Sequence, residues 1–211
     1  MSKVFFSVTM SLDGFIAPEA RGDDVADKRW LGQWMELQKY VFAQKFFRET
    51  LKLGEGGLTG DDNRILQQTF ERTGVSIMGK RMFDGGERMW PEEAPFHTPV
   101  FVLTRQVRAP WQRKGGTVFH FVGDGIESAL GQAREVANGR DIRIAGGAHA
   151  IREYLNAGLV DEFHIALAPV FFGGGTALFD RMHHERLSLE IVGAIHSPLV
   201  THLTYAVRRK G

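Results

Sequence analysis

Residues Asp141–Gly158 read DIRIAGGAHAIREYLNAG, and the fold turns on this stretch. Ile142 and Ile144 alternate with Arg143, the period of a half-buried strand. Gly146-Gly147 stops the strand. Ala148, Ile151, Tyr154 and Leu155 then recur on one helical face, with Gly158 where a C-terminal cap belongs. A strand that halts at a glycine pair and opens directly into a helix aims backbone N–H groups at one spot. Those unpaired donors and the positive end of the helix dipole suit a phosphate oxygen, and a Cβ would hold the anion away. The same residues also fit a tight strand-to-helix turn with no ligand. The rest of the chain decides between the two readings.

At 211 residues and 43% hydrophobic content, the chain has the material for one large domain over residues 1–211. A net charge of +1 gives no overall field toward nucleic acid or an anionic membrane, so anion recognition has to be local. The absence of cysteine removes disulfides, zinc-thiolate sites and cysteine nucleophiles, and fits a reducing cytoplasm. The N-terminus MSKVFFSVTMSLDG lacks the long apolar core of a signal peptide, and no stretch reaches the roughly 20 apolar residues of a membrane span. A cytoplasmic location is expected, with no nucleic-acid or membrane partner.

Outward from the central stretch, Val4–Met10 alternates with apolar residues on both faces and predicts a central strand, followed by a Ser11–Ile16 turn. Pro18–Asp27 reads as a surface loop. Trp30–Leu53 carries a broad apolar helical stripe and predicts one long helix, suited to a core or subunit contact. Gly54–Gly60 reads as a flexible connection. Asp62 predicts the N-cap of a helix through Arg72 that Gly74 closes. Val75–Met78, Pro99–Leu103 and Thr117–Val122 are expected strands. Asp124 and Glu127 have capping-box spacing for a helix ending at Gly139. Phe163–Pro169 is a further strand, and Leu187–Ile195 with Val200–Val207 forms an antiparallel hairpin around Ser197-Pro198. This order implies an α/β fold: a mainly parallel central sheet flanked by helices, with the hairpin at one edge. Ligands of such sheets bind beyond the carboxyl ends of the strands. Gly79-Lys80-Arg81, Thr104-Arg105 and Gly146-Gly147 are three such ends, so they should converge.

In this order, the stretches Ser7–Gly14, Met78–Phe83, Val102–Arg105, Ile144–Ala148, Leu159–Glu162 and Phe172–Phe179 resemble the dihydrofolate-reductase-like family, nearest to the reductase domain of the bacterial riboflavin-biosynthesis deaminase/reductase. The resemblance implies that fold and an NADPH-dependent reductase. It places the pyrophosphate on Gly146, Gly147 and Ala148, and the adenosine 2′-phosphate near Gly79, Lys80, Arg81, Thr104 and Arg105. It also lets the backbone at Gly174 approach cofactor or substrate. A guanidinium fork, a cation and a hydroxyl suit a dianionic phosphate. Asp13, beside the expected nicotinamide position, is the candidate catalytic acid, though an Asp-Gly turn also uses such a residue for its own backbone.

Two features depart from the family. Its folate-reducing members carry a carboxylate on the first helix, and neither Glu36 nor Glu49 can be registered there from sequence. The deaminase of the riboflavin enzyme needs zinc ligands that this cysteine-free chain lacks, so a stand-alone reductase is implied. His183-His184 is a weak metal pair, and no metal is expected. The resulting expectation is hydride transfer from NADPH to a small polar substrate. That substrate would be 5-amino-6-(5-phosphoribosylamino)uracil as in riboflavin biosynthesis, or else a dihydrofolate, pterin or carbonyl compound. A homodimer is expected. A non-catalytic nucleotide-binding module is the rival reading.

Overall fold

A computed structural model of the chain describes residues 2–20 and 27–210. Most of the predicted Pro18–Asp27 loop, residues 21–26, lies outside the described residues. Nine strands form one sheet. In chain order the elements are β1 (Val4–Ser11), β2 (Phe15–Pro18), α1 (Lys28–Leu37), α2 (Lys39–Ala43), α3 (Lys45–Thr50), α4 (Asp61–Arg72), β3 (Thr73–Gly79), α5 (Lys80–Met89), β4 (Pro99–Leu103), β5 (Trp111–Gln112), β6 (Val118–Val122), α6 (Ile126–Val136), β7 (Asp141–Gly146), α7 (Ala148–Asn156), β8 (Glu162–Ala168), β9 (Gly175–Ala177), β10 (Leu187–His196) and β11 (Thr201–Arg209).

The large sheet runs β10-β11-β8-β1-β7-β3-β4-β6-β5, and β2 pairs with β9 in a two-stranded sheet beside it. From β8 through β6 all neighbours are parallel, while β11 runs antiparallel to both of its neighbours, β8 and β10. The predicted fold class is therefore observed, with β1 central and the C-terminal hairpin at an edge. Parallel strands buried on both faces need apolar side chains both ways. On one face Val4, Phe6, Ile142, Ile144, Val75, Ile77, Phe163 and Ile165 are at most 3% exposed, packed against Ile151, Tyr154 and Leu155 of α7 and Ala129, Leu130 and Ala133 of α6. Further along the sheet, Phe83 of α5 meets Trp90, Trp111, Phe119 and Phe121 edge to face.

The helical region before β3 departs most from expectation. The predicted Trp30–Leu53 helix is three short helices, broken at Gln38 and Gln44. Gln44 is extended, so Ala43 O and Lys45 N turn outward to pair with Leu58 N and Leu58 O, at 2.7 and 2.9 Å. Gly57 permits this approach: a Cβ there would stand 2.7 Å from Lys45 Cα. The 54–60 glycine stretch is thus docked at Gly57-Leu58, where a free linker was expected. The aromatic stripe is used within the chain, Trp30 stacking on Trp34, and Phe42 and Phe46 meeting Phe47 and Phe70.

Three predicted caps are also corrected. The N-cap of α4 is Gly60, and Asp62 lies inside the first turn, buried, with its carboxylate directed into the protein. Gly74 belongs to β3, not to a helix end; a Cβ there would lie 2.5 Å from Ala137 O, so its absence lets α6 end against the strand. The N-cap of α6 is Gly125 without a side-chain bond, while Asp124 accepts from Ser128 Oγ at 2.7 Å instead. The helix α5 and the β2–β9 pair carry no signal that the sequence reading used.

Candidate functional site

The carboxyl ends of β1, β7, β3, β4 and β6 share one rim of the sheet, because Met78 is in register with Gly146, Gly79 with Leu103, and Leu103 with Val122. At that rim α5, α6 and α7 each begin at a glycine, Gly79, Gly125 and Gly147, and none has a side-chain cap bond. Their first-turn N–H groups are left to an external acceptor. A Cβ built on Gly79 would sit 3.7 Å from Ala150 Cβ and 3.8 Å from Gly147 N, so the openings of α5 and α7 adjoin. Gly146 adopts φ +132°, the Gly146–Gly147 peptide is cis, and no atom lies within 4 Å of a Cβ built on Gly147. Gly79, Gly146, Gly147 and Ala148 meet in one glycine-lined notch, open at Gly147 and covered at Gly146 by Met82, whose Sδ would lie 3.1 Å from a Cβ built there. This donor set fits the pyrophosphate of a dinucleotide.

The basic residues are less free than their motif implies. Lys80 is ion-paired one turn on with Asp84 of the same helix, and Arg81 is also engaged within the chain. Thr104 Oγ1 accepts from Gln106 N at 2.9 Å, fixing the turn after β4 while leaving its hydroxyl proton to donate. Arg105 lies next to it on the wall of a hollow of about 500 Å³, with Val107, Phe121, Gly123, Asp124 and Gln132. Thr104 and Arg105 thus stand one strand outward from the glycine notch, as the adenosine end of a dinucleotide would require.

Asp13 lies at the opposite end of the rim and is held on several sides. Its carboxylate accepts from Ser11 Oγ at 2.6 Å, Gly173 N at 2.7 Å and Phe172 N at 3.1 Å. Desolvation alone would raise its pKa, but the Ser11 hydroxyl and the Gly173 and Phe172 amides outweigh it and hold the carboxyl below the usual carboxylate range. A carboxylate kept ionised in this way is a poor proton donor and a good clamp for the Phe172–Gly174 loop. Gly174 belongs to this side of the rim, in a hollow of about 130 Å³ lined by Asp27, Trp30, Gln33 and Phe172. Glu36 and Glu49 pair with Lys39 and Lys45 on the outer surface of their helices.

The sequence reading missed a polar cluster beneath α1–α4. Ser7 Oγ bonds His164 Nδ1 at 2.9 Å, His164 Nε2 meets His202 Nδ1 at 2.9 Å, and His202 Nε2 meets Asp62 Oδ1 at 2.7 Å. The other Asp62 oxygen accepts from Ser197 Oγ at 3.0 Å. Thr9 donates to Gln38 Oε1 at 3.0 Å, and burial pushes the Tyr40 hydroxyl up to about 12. Arg143 lies among these groups, its pKa lowered by desolvation, with Nη2 donating to Ser7 O at 3.3 Å and Nε buried without a partner. Alternation in β1, β8 and β11 puts Ser7, His164 and His202 on one sheet face, but the sequence held no sign that helices cover it.

The mainly parallel sheet, its flanking helices and the antiparallel C-terminal edge make this a dihydrofolate-reductase-like α/β fold. The chain resembles Enterococcus faecalis dihydrofolate reductase complexed with NADP(H), with a TM-score of 0.55 at 16% identity over 99% of this chain and 97% of that one. More narrowly, the RibD C-terminal domain model matches residues 2–201, and the chain belongs to that family. A Shewanella sp. PV-4 protein provisionally described as a riboflavin-biosynthesis protein superposes with a TM-score of 0.66 at 22% identity, over 99% of this chain and all of that one. Among sequence relatives, the uncharacterized protein YwjB of Bacillus subtilis is 31% identical over 87% of this chain and 86% of its own. The uncharacterized YyaP of the same organism is 36% identical over 34% of this chain, a match that spans only 37% of YyaP. Among the described residues no helix is long and apolar enough to cross a membrane, and no group of three or more His, Asp or Glu side chains could hold a metal ion.

Proposed function

We propose that the protein is an NADPH-dependent reductase of a small polar substrate, of the ribosylaminopyrimidine kind reduced in riboflavin biosynthesis. The observation that carries this reading is the adjoining of Gly79 with Gly147 at the openings of α5 and α7. Gly146, Gly147 and Ala148 would hold the pyrophosphate through backbone N–H groups, and Thr104 and Arg105 the 2′-phosphate. A bound NADPH supplies the hydride. The chain's own contribution is positional: Asp13 fastens the Phe172–Gly174 loop to the end of β1, and Trp30 and Gln33 of α1 wall the hollow where a substrate would enter.

The test is titration with NADPH followed by fluorescence and thermal melting. Binding at micromolar NADPH, and oxidation on adding the aminopyrimidine, is the expected result. Unchanged fluorescence and melting at millimolar NADPH would end the reductase reading. Oxidation with a pterin or a carbonyl compound alone would move the substrate class. Arg105→Ala should weaken NADPH by about tenfold or more and NADH by less than about twofold. A specific observation favours a second reading, a nucleotide-binding module. Asp13 is clamped and Glu36 and Glu49 face outward, so no free carboxylate of the three can deliver a proton. Binding of NADPH without oxidation in any substrate screen would select the module.

A further inference from the structure

We infer that Asp124 is a specificity-determining residue, opposing the 2′-phosphate that distinguishes NADPH from NADH. The inference rests on the reading of the Arg105 hollow as the adenosine end of a dinucleotide site. Gly123 brings the two walls of that hollow together. A Cβ there would stand 2.8 Å from Val107 Cγ2 and 3.4 Å from Thr104 O, so the end of β6 packs directly under the turn that carries Arg105. The same close approach puts the next residue, Asp124, on the wall of the hollow that holds Arg105.

The two charges do not neutralise each other. Arg105 forms no ion pair or side-chain hydrogen bond among the described residues, and Asp124 is fixed instead by Ser128 Oγ, which donates to Oδ2 at 2.7 Å. That bond anchors the carboxylate to the first turn of α6 and leaves Oδ1 as an acceptor. The same hollow is lined by the apolar side chains of Val107 and Phe121, and its volume of about 500 Å³ suits a purine nucleoside. An acceptor carboxylate near a ribose receives a hydrogen bond from its 2′-hydroxyl and repels a phosphate there, while a guanidinium does the reverse.

Elsewhere at this rim the two basic residues after β3 are already engaged. Lys80 is paired with Asp84, and Arg81 is engaged within the chain. Arg105 is the cation on the wall of this hollow that meets a dianion there, and Asp124, on the same wall, subtracts from its attraction. The Lys-Arg and Thr-Arg motifs alone imply a strong preference for NADPH. With Asp124 in the hollow the preference becomes moderate, and removing its charge should sharpen it.

The experiment compares NADPH and NADH affinities of the wild type, Asp124→Asn and Ser128→Ala by fluorescence titration at low and high salt. Asp124→Asn keeps an oxygen for Ser128 and loses only the charge. It should tighten NADPH by about five- to tenfold and move NADH by less than about twofold, with the NADPH gain shrinking in about 0.5 M salt. Ser128→Ala keeps the charge and should leave the NADPH-to-NADH ratio within about twofold of wild type. Equal shifts of both dinucleotides in Asp124→Asn, or no shift in their ratio, would overturn the assignment. If the wild type binds neither dinucleotide, the reading of the site and this assignment fail together. If it binds both and the ratio ignores Asp124, only the assignment fails.

Discussion

The glycine notch at the carboxyl rim and the polar cluster under α1–α4 are built on opposite principles. The notch is made of backbone: Gly79, Gly146 and Gly147 carry no side chain, and nothing lies within 4 Å of where a Cβ on Gly147 would stand. The cluster is made of side chains. Ser7, His164, His202 and Asp62 satisfy one another in a single chain of hydrogen bonds, with His202 at 2% exposure. A backbone notch of this kind costs the fold little. A buried side-chain network stabilises the fold only while every member is present, because each orphaned donor or acceptor carries its desolvation penalty. The two regions should therefore respond oppositely to substitution, one losing binding and the other losing stability.

The strongest break of that contrast comes from Asp62→Ala. It leaves His202 Nε2–H buried without its acceptor, while Ser197 Oγ–H keeps Val200 O at 3.0 Å, and should cost about 3 kcal/mol, read as a shift in the urea midpoint. NADPH affinity of the remaining folded protein should change by less than about twofold. A loss below about 1 kcal/mol would mean that water reaches these groups and the cluster is not a sealed network.

Gly147→Ala reverses the pattern. Nothing lies within 4 Å of a Cβ at that position and its φ of −70° suits any residue, so stability should change by less than about 1 kcal/mol. The methyl group would stand where the proposed pyrophosphate approaches, and NADPH should weaken by about 10- to 100-fold. A stable variant with unimpaired NADPH binding would remove the notch as the pyrophosphate site.

The same contrast explains what the sequence could show. The Gly146–Ala148 turn is contiguous, and its strand and helix periods flank it, so the local string contains the whole device. The cluster joins residues as far apart as Asp62 and His202, 140 positions along the chain. Seen singly, Asp62 is a good N-cap and His164 an ordinary outward strand residue. Tertiary contacts also defeat the helix prediction for Trp30–Leu53, which contains no proline and a single glycine, Gly32, far from either break. The breaks at Gln38 and Gln44 follow from Thr9 and Leu58, neither of which is local. At the site, the three strand ends do meet one rim as the sequence implies. The partners that modify them, Asp84 on Lys80 and Asp124 in the hollow that holds Arg105, become visible only once α5 and α6 are in place.

Acid should expose the cluster before the notch. Desolvation, with smaller contributions from His202 and Arg143, pushes His164 down to about 3, against about 6.5 in an unfolded chain. Between those values the unfolded state binds the proton and the folded state does not. Stability is therefore full above about pH 6.5 and falls by up to about 1.4 kcal/mol per unit as pH drops toward 3. The structural reason is directional: with both histidines neutral and the Asp62 carboxylate accepting from His202 Nε2–H, the same direction carries through His164 Nε2–H to Ser7 Oγ–H, and a proton on His164 Nδ1 would turn Ser7 from donor into acceptor. A urea midpoint that stays flat from pH 7 to pH 5 would show that His164 titrates normally.

Asp13 joins the two building principles, being a side chain that organises backbone at the edge of the cleft. If it acts as a clamp, Asp13→Asn places an amide against the Gly173 and Phe172 N–H groups, and the loop shifts. Turnover should fall by about tenfold through lost positioning, with NADPH affinity nearly unchanged because the notch lies on other strands. The size of the loss should be the same at every pH from 6 to 8, since the Asp13 carboxyl is held below the usual carboxylate range and stays ionised throughout. A general acid would behave differently: wild-type turnover would decline as pH rose through its pKa, and the Asn variant would lose that decline. A wild-type rate that falls with pH and is flattened by Asp13→Asn would make Asp13 the proton donor, and the loop contacts a consequence of where it must stand.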